Sequence, residues 1–360
     1  MRWPSSKNPG PDSQSGVNYP IDPQDKLPHA YGGPSCLGVL RKVPDDFRVT
    51  EIPLVEPDGH GEHCLLEIEK CNQNTESVAK LLARHACVRN ADVSYAGMKD
   101  RNAVTRQWFS VRLAGRSEPA WDDLNSADLR ILQAARHSRK LRVGALRGNR
   151  FCLRIREFRD GQGRLEQIMQ SLQAGGMPNY FGAQRFGREG SNLTGAGALF
   201  GGVRGRLDRK RRGLYLSAAR SMLFNRVLGI RVSDGTWNQA FPGERLILDG
   251  SRNSFVPEMI DPVIMERLAD MDIHPSGPLW GTGYQSTNTE SAALEQRALH
   301  GMEGWQKGLE RSGLKYERRA LRAPIRNLTW GLEGDDLLLE FSLGKGSYAT
   351  VLMREIIAAG

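Results

Sequence analysis

The amino-acid sequence predicts an α+β protein whose first domain is interrupted by an inserted module. Three observations carry this prediction. Strand-like alternation with one helical stretch occupies residues 36–113, helical spacing dominates residues 175–322, and strand alternation returns at residues 336–343. A strand, helix and strand with further antiparallel strands is typical of a sheet domain with helices packed on it. We therefore expect the late strand to belong to the same domain as the early ones.

The first strands are predicted from short runs of β-branched and alternating residues. Residues 36–43 and 47–52 form two such runs, separated by the turn Pro44-Asp45-Asp46. Residues 64–70 alternate leucine and isoleucine with glutamate, which indicates a strand with one buried face.

The first helix is predicted after Thr75, which we interpret as its N-cap, because Val78, Leu81 and Leu82 keep helical spacing. Residues 93–96 and 107–113 then predict two strands joined through a loop that contains glycine.

Later elements follow the same logic. Residues 214–232 predict a helix from their apolar spacing, and Ser347 is expected to cap a final helix after the strand at 336–343.

The charge favours a polyanionic partner. Lys and Arg number 50 against 41 Asp and Glu, which gives a net charge of +9. Residues 133–156 contain eight basic residues and no acid, and we assign Arg139, Lys140 and Arg142 there to RNA-backbone contacts. A second cluster is formed by Arg204, Arg206, Arg209, Lys210, Arg211 and Arg212. The alternative for both clusters is a solvated face.

Cysteine usage and the N-terminal composition indicate a reduced, cytoplasm-like compartment. The five cysteines include no CxxC pair, and we expect neither an apolar signal core nor a membrane span. Residues 1–34 hold seven of the 18 prolines, so we predict a flexible tail over residues 1–35.

The most informative segment is residues 96–108, where Asp100 lies in a glycine-containing turn at a strand end. Lys99, Arg101 and Arg106 flank it, and nearby cations keep a carboxylate ionised for work as a base or nucleophile. The alternative is a structural aspartate in a surface turn.

Two other segments offer groups for a nucleotide. Residues 177–187 place two glycines and two aromatic residues around Gln184 and Arg185, and the alternative is a glycine-rich packing turn with its aromatic residues in the core. Residues 146–151 contain Asn149 and Phe151, which suit a base edge and a base face, and the alternative is a turn before a strand with a buried phenylalanine. Residues 60–64 (His-Gly-Glu-His-Cys) lack the spacing of a metal motif, so no metal site is predicted.

Six segments, in order, resemble the signature motifs of the TruD family of pseudouridine synthases. They are residues 44–47, 96–108, 148–151, 178–187, 217–221 and 346–355.

The resemblance implies a pseudouridine synthase catalytic domain, a mixed antiparallel sheet with flanking helices, over residues 36–174 plus 323–360. An inserted TRUD α/β domain is implied over residues 175–322. It further implies a cytoplasmic enzyme that converts uridine to pseudouridine in tRNA, usually at position 13 of the D-stem region. No cofactor, metal, membrane or required protein partner is implied.

The resemblance also assigns the site. Asp100 matches the catalytic carboxylate, and the substrate contacts fall on Phe47, Asn149, Phe151 and Tyr348. Arg41 is assigned to the same substrate-binding set and lies where the family tends to place a basic residue near the catalytic aspartate. The family has phenylalanine where this chain has Tyr348, whose hydroxyl needs a partner if it is buried.

Two other functions remain open at this point. One is an RNA-binding protein on the same fold without turnover, which the intact Lys99-Asp100 pair disfavours. The other is a nucleotide-binding protein that uses the loop at residues 181–187, although this loop lacks the lysine pattern of a phosphate-binding loop.

Overall fold

The computed structural model describes residues 27–203, 207–283 and 289–358. The strands in these ranges are β1 (Cys36–Leu40), β2 (Phe47–Pro53), β3 (His63–Lys70), β4 (Val93–Tyr95), β5 (Val104–Arg112), β6 (Leu129–His137), β7 (Leu146–Asp160), β8 (Met177–Pro178), β9 (Leu246–Leu248), β10 (Ser254–Phe255), β11 (Ile273–Leu279), β12 (Glu317–Ala320), β13 (Arg322–Ala323), β14 (Ile325–Glu333) and β15 (Asp336–Gly344). The helices are α1 (Thr75–His85), α2 (Leu165–Gly175), α3 (Ser191–Phe200), α4 (Arg209–Ser233), α5 (Pro262–Ala269), α6 (Glu290–Ala298), α7 (Glu303–Arg311) and α8 (Ala349–Ile356).

A nine-stranded sheet organises the molecule. Its strand order is β14-β15-β7-β2-β5-β3-β6, with β1 also paired to β7 and β4 to β5. The β2–β5 pair is parallel and the other pairs are antiparallel, so the predicted mixed sheet is confirmed. The described chain leaves this sheet after β7 and returns to it at β14.

Strand β7 is central because it is 15 residues long and pairs with β1, β2 and β15. Side chains two residues apart share one face of a strand. Asn149 and Phe151 therefore lie on the same face of β7, opposite Glu51 and Val49 of β2. This face carries much of the candidate site.

The segment between β7 and β14 builds a smaller unit around α4. Helices α3, α6 and α7 and strand β11 pack against α4. The four-stranded sheet β10-β9-β11-β12 is antiparallel at every pair, so the helices and strands there form a small α+β unit. One apolar core is continuous between both parts, since Phe341 of β15 and Phe224 of α4 belong to the same cluster.

Several predicted boundaries need correction. Helix α1 begins at Thr75 with Asn74 in the N-cap position, and the Thr75 hydroxyl turns inward to Gln107 instead of capping the helix. Tyr348, not Ser347, occupies the N-cap position of α8, and the Ser347 hydroxyl donates to Asn179. The strand predicted at 336–343 is confirmed as β15.

The tail predicted to end at residue 35 is also corrected. Residues 1–26 lie outside the described chain, but residues 27–35 pack on the body of the protein. The Ala30 amide donates to Glu355 at 3.0 Å, and the Tyr31 hydroxyl donates to the Gly176 carbonyl at 2.7 Å. These hydrogen bonds to buried partners hold residues 27–35 in place, although their composition is typical of a flexible segment.

Across the described ranges, no helix combines the length and apolar character needed to cross a membrane.

Candidate active site

A cleft of about 1630 Å³ lies between the main sheet and the inserted unit. The ends of β2 and β7, the loop after β4, the start of α8 and residues of the inserted unit line it. The basic residues of its lining are Arg41, Lys99, Arg147, Arg185, Arg245, Arg252, Arg318, Arg319, Arg322, Arg326 and Lys345. The acids of the lining are Asp100, Asp249, Glu295 and Glu317. This excess of cations suits a polyanionic ligand.

Asp100 lies in the loop between β4 and β5 and has one close cation. Its carboxylate is 3.2 Å from the Arg41 guanidinium, and 56% of its side chain is exposed toward the cleft. Arg41 in turn lies over the Phe47 ring, 3.8 Å from its centroid. Arg41 has a φ of +56°, an uncommon backbone conformation for a residue with a side chain. The chain therefore fixes Arg41 between an aromatic face and the candidate catalytic carboxylate.

The three cations that flank Asp100 in the sequence bind elsewhere, which corrects that interpretation, whereas Arg41 lies beside Asp100 as the resemblance implies. Lys99 forms a buried ion pair with Glu51 at 2.7 Å, with exposed side-chain fractions of 6% and 1%. Arg101 donates to a backbone carbonyl of the loop after β3, and Arg106 pairs with Glu69 on β3. Residues that are adjacent in the sequence here have side chains that point in different directions, so their ion pairs form with different parts of the protein.

A buried hydrogen-bond network fixes the loop that carries Asp100. The Thr75 hydroxyl accepts the Lys99 amide at 3.0 Å and donates to the Gln107 side-chain oxygen at 2.9 Å. The Gln107 amide donates to the Gly97 carbonyl at 3.1 Å. The loop is thus tied to the first turn of α1 and to β5 at once.

Lys70, at the end of β3, also contacts the loop that carries Asp100. Its ammonium donates to the Asp100 carbonyl at 3.2 Å and to the Gln73 carbonyl at 2.8 Å. Burial lowers the pKa of Lys70 to about 8. The residue is almost fully buried, so its ammonium group donates to the loop backbone and not to solvent.

Asn149 and Phe151 face the cleft from β7. Phe151 is stacked on Phe341 at 5.1 Å and meets the edge of Phe47 at 6.1 Å. The side-chain oxygen of Asn149 is buried and has no hydrogen-bond partner in the described structure. A buried acceptor without a donor is costly unless a ligand supplies one. Gly148 permits this geometry, since a Cβ there would lie 2.2 Å from the Leu343 carbonyl oxygen of β15.

Tyr348 has the partner that its extra hydroxyl requires. Arg185 of the inserted unit donates to the Tyr348 hydroxyl from Nη2 at 2.8 Å and from Nε at 3.2 Å. The Tyr348 ring meets the edge of Phe181 at 6.3 Å. The start of α8 is therefore joined to the inserted unit at the wall of the cleft.

The structure brings together Arg41, Phe47, Asp100, Asn149, Phe151 and Tyr348 in one cleft lining. Sequence reasoning missed Glu51, Lys70, Thr75 and Gln107, which support the loop of Asp100. Glu51 carried a usable signal, because it follows Phe47 and Val49 at the inward positions of an alternating strand. A carboxylate at such a position needs a buried cation.

Half of the basic residues in the acid-free run at residues 133–156 form ion pairs with acids from other parts of the chain. Its ion-paired members are Arg136, Arg150, Arg154 and Arg156, whose acids come from elsewhere in the chain. Lys140 donates to the Ala91 carbonyl at 2.8 Å. Within the described ranges, Arg139 and Arg142 are exposed and have no side-chain partner.

In the second cluster, Lys210 pairs with Glu76 of α1 at 3.1 Å. Arg209, Arg211 and Arg212 are exposed near the start of α4, while Arg204 and Arg206 lie outside the described residues.

The described residues contain no group of three or more His, Cys, Asp and Glu side chains arranged to hold a metal ion. In the rejected motif, His63 instead contacts the Ser110 hydroxyl at 3.2 Å.

The mixed sheet with its inserted unit has a counterpart of known structure. The structure of a chain from Methanosarcina mazei, assigned as a tRNA pseudouridine synthase D, aligns with a TM-score of 0.69 at 21% identity. That alignment covers 92% of this chain and 96% of the other, and it shows a shared fold.

The family model described as tRNA pseudouridine synthase D (TruD) matches residues 27–202 and 200–356. The chain therefore belongs to the TruD family. The tRNA pseudouridine synthase D of Methylococcus capsulatus is 47% identical over 334 residues, covering 92% of this chain and 94% of the relative. The protein of that name from Xanthomonas euvesicatoria pv. vesicatoria is 47% identical over 346 residues, with the same coverage.

Proposed function

We propose that this protein converts uridine to pseudouridine in tRNA, with Asp100 as the catalytic carboxylate. The observation that carries the proposal is the unpartnered oxygen of Asn149 in the cleft that also exposes Asp100. Uracil has an N3–H donor that can satisfy this oxygen, whereas N3 of cytosine is itself an acceptor. The names of the relatives support the same activity.

The chemistry needs only the groups that line the cleft. The N1–C1′ bond breaks, the uracil turns, and a C5–C1′ bond forms. The C5 proton leaves to solvent while N1 gains a proton, so no oxidant, reductant or co-substrate enters the balance. Asp100 supplies the carboxylate at the ribose–uracil junction, and Arg41 keeps that carboxylate oriented.

The aromatic residues suit a base that has left its helix. A target base inside a helix must be flipped out, and stacking in the pocket replaces part of the lost stacking. Arg41 covers a face of Phe47, and Phe341 stacks on Phe151. We infer that Phe47 and Phe151 form the fixed side of the pocket, and that Tyr348 lies at its other wall.

The finer features of the function are part of the same proposal. We infer a cytoplasmic enzyme that acts on position 13 in the D-stem region. Its catalytic domain comprises residues 36–174 plus 323–360, and its inserted module comprises residues 175–322. The return of the chain to the main sheet at β14 supports these boundaries. The module helps to select the RNA, and through Arg185 it also reaches the substrate cleft.

The test uses tRNA labelled with tritium at C5 of uridine, because pseudouridine formation releases that hydrogen. We expect release by the wild-type protein and none by Asp100→Asn, which keeps the size of the side chain but removes its charge. The affinity for tRNA should survive, since it rests on many phosphate contacts.

Asp45→Asn is the matched control, because Asp45 is an exposed carboxylate paired with Arg48 on the neighbouring strand. It should release tritium at the wild-type rate. Binding of tRNA without release by the wild-type protein would instead identify an RNA-binding protein without turnover. Near-normal release by Asp100→Asn would remove Asp100 from its role.

A further inference from the structure

We propose that Arg185 and Arg319 form a binding site for one phosphate group of the RNA backbone, on the wall of the cleft that the inserted module supplies. The identity of the ligand as RNA rests on the proposed function. The site itself rests on the two guanidinium groups, their surroundings and their free hydrogen-bond donors.

The two arginines share one aromatic support. The Arg319 guanidinium lies 4.2 Å from the Phe181 ring centroid, and that of Arg185 lies 5.3 Å from it. Neither arginine forms an ion pair with a carboxylate anywhere in the described residues. Two cations held beside one ring repel each other unless an anion joins them.

Two other arginines of the same cleft are neutralised by carboxylates. Arg318 pairs with Glu295 at 2.6 Å, and Arg326 pairs with Asp249. Their charges are balanced within the protein, so they are poor candidates for binding a phosphate. Arg185 and Arg319 have no such acid, and they differ from the remaining unpaired cations of the lining because both lie beside the Phe181 ring.

Both arginines are held in position while keeping donors free. Arg319 donates from Nη2 to the side-chain oxygen of Asn179 at 2.5 Å and to the Gly346 carbonyl at 2.8 Å. Its Nη1 has no hydrogen-bond partner in the described structure. Arg185 donates from Nη1 to the Ser217 hydroxyl at 3.1 Å and uses Nε and Nη2 on Tyr348. The Tyr348 oxygen accepts both of those bonds, which leaves its own O–H to donate.

The electrostatics agree with an anion site. Burial is the main cause that lowers the pKa of Arg319 to about 10; Tyr348 opposes this shift, and the nearby charge of Arg185 adds to it. The negative charge of a phosphodiester bound by both guanidinium groups would offset this cost of burying their charges. Guanidinium forks match the oxygen spacing of a phosphate, and held side chains lose little entropy on binding.

The experiment measures tRNA affinity as a function of KCl concentration for Arg185→Gln and Arg319→Gln, in an Asp100→Asn background that prevents turnover. Each lost phosphate contact should reduce the slope of log affinity against log salt by about 0.7 to 0.9. Because both arginines serve one phosphate, the double variant should reduce the slope by no more than either single variant.

Arg188→Gln is the matched control, because it removes the same charge from the same segment. Its side chain is 93% exposed and lies beside Glu189. Its slope should equal that of the parent. Arg319→Lys is a second variant for the case that Arg319→Gln fails to fold. It retains the positive charge, so its salt slope should equal that of the parent.

The two proposals fail in different ways. A reduced slope with no tritium release by the Asp100-containing protein would sustain the phosphate site and overturn the proposed function. An unchanged slope in Arg185→Gln and Arg319→Gln, with normal tritium release by the Asp100-containing protein, would overturn the phosphate site alone. If inorganic phosphate raised the Tm of the parent but not of Arg185→Gln while the tRNA slope stayed unchanged, the site would bind a free anion and the RNA assignment would be wrong.

Discussion

Asp100 owes its position to contacts made by other residues. Arg41 holds its carboxylate, and Lys70 holds its carbonyl. The Lys99 amide on its N-terminal side is held by the Thr75 hydroxyl, and the Lys99 side chain by Glu51. We expect removal of a partner to loosen the loop, and a small displacement of a reacting group is costly for catalysis.

Thr75→Val tests the loop support at the level of one hydroxyl. The substitution keeps the shape of the side chain but removes the acceptor for the Lys99 amide and the donor to Gln107. Leaving these buried groups unpaired should lower the free energy of unfolding by about 1 to 3 kcal/mol. It should also lower kcat about tenfold or more, with tRNA affinity unchanged.

Thr75→Ser is the control because it retains the hydroxyl, and it should restore most of kcat. Urea unfolding gives the stability, and single-turnover tritium release gives the rate. Equal rates for valine, serine and threonine at this position would show that the loop does not depend on the hydroxyl.

At the scale of elements, α8 joins the cleft to the N-terminal segment. Its first residues follow Tyr348, and its end carries Glu355, which is fully buried and accepts the Ala30 amide. Burial raises the pKa of Glu355 to about 7, so the carboxyl binds a proton far more tightly in the folded protein than in the unfolded chain.

Glu355 should therefore make stability depend on pH. A raised pKa contributes stability that is complete below the unfolded value of 4.5 and is lost as the pH rises through about 7. The difference between these values corresponds to about 3 kcal/mol. Nearby His29 has a pKa lowered by burial and acts in the opposite direction.

The measurement is the free energy of unfolding of the wild-type protein and Glu355→Gln between about pH 5 and pH 8. Glutamine still offers an oxygen to the Ala30 amide but does not titrate, and His29 is common to both proteins. The wild-type protein should lose stability relative to the variant as the pH rises. Parallel curves would show that Glu355 titrates alike in both states.

At the scale of the whole molecule, the distribution of unpaired charge matters more than the net charge. In the run at residues 133–156, only the members without an acid partner have a charge that the protein does not already balance. Arg150 and Arg154 face the acids Glu340, Glu333 and Asp336 from β15 and the end of β14. The exposed members without such acids in the described structure are Arg139, Lys140, Arg142 and Arg147, and of these Lys140 donates to the Ala91 carbonyl.

The double substitution Arg139→Gln with Arg142→Gln should weaken tRNA binding and reduce the salt slope by about 1.5. The control, Arg150→Gln with Arg154→Gln, removes the same charge from paired positions and should change the slope little. Binding is measured by filter retention over a range of KCl concentrations. Equal slopes for both double variants would assign Arg139 and Arg142 to a solvated face.

The sequence by itself determined the mixed α+β architecture and the family. Alternation along β2, β3 and β15 is a local property, so it predicts which side chains share a face without knowledge of the partner strand. The motif around Asp100 likewise identified the candidate carboxylate. Glycines such as Gly148 belong to motifs because the backbone approaches closely there.

Only the tertiary structure decided most of the partners. The resemblance implied that Arg41 lies near Asp100, 59 positions away, but the structure alone showed that the neighbouring Lys99 pairs with Glu51 instead. Tyr348 meets Arg185, 163 positions away. Periodicity describes the direction of a side chain relative to its own strand or helix, whereas ion pairs and hydrogen bonds require atoms to meet within about 3 Å. That proximity is set by the packing of the whole chain.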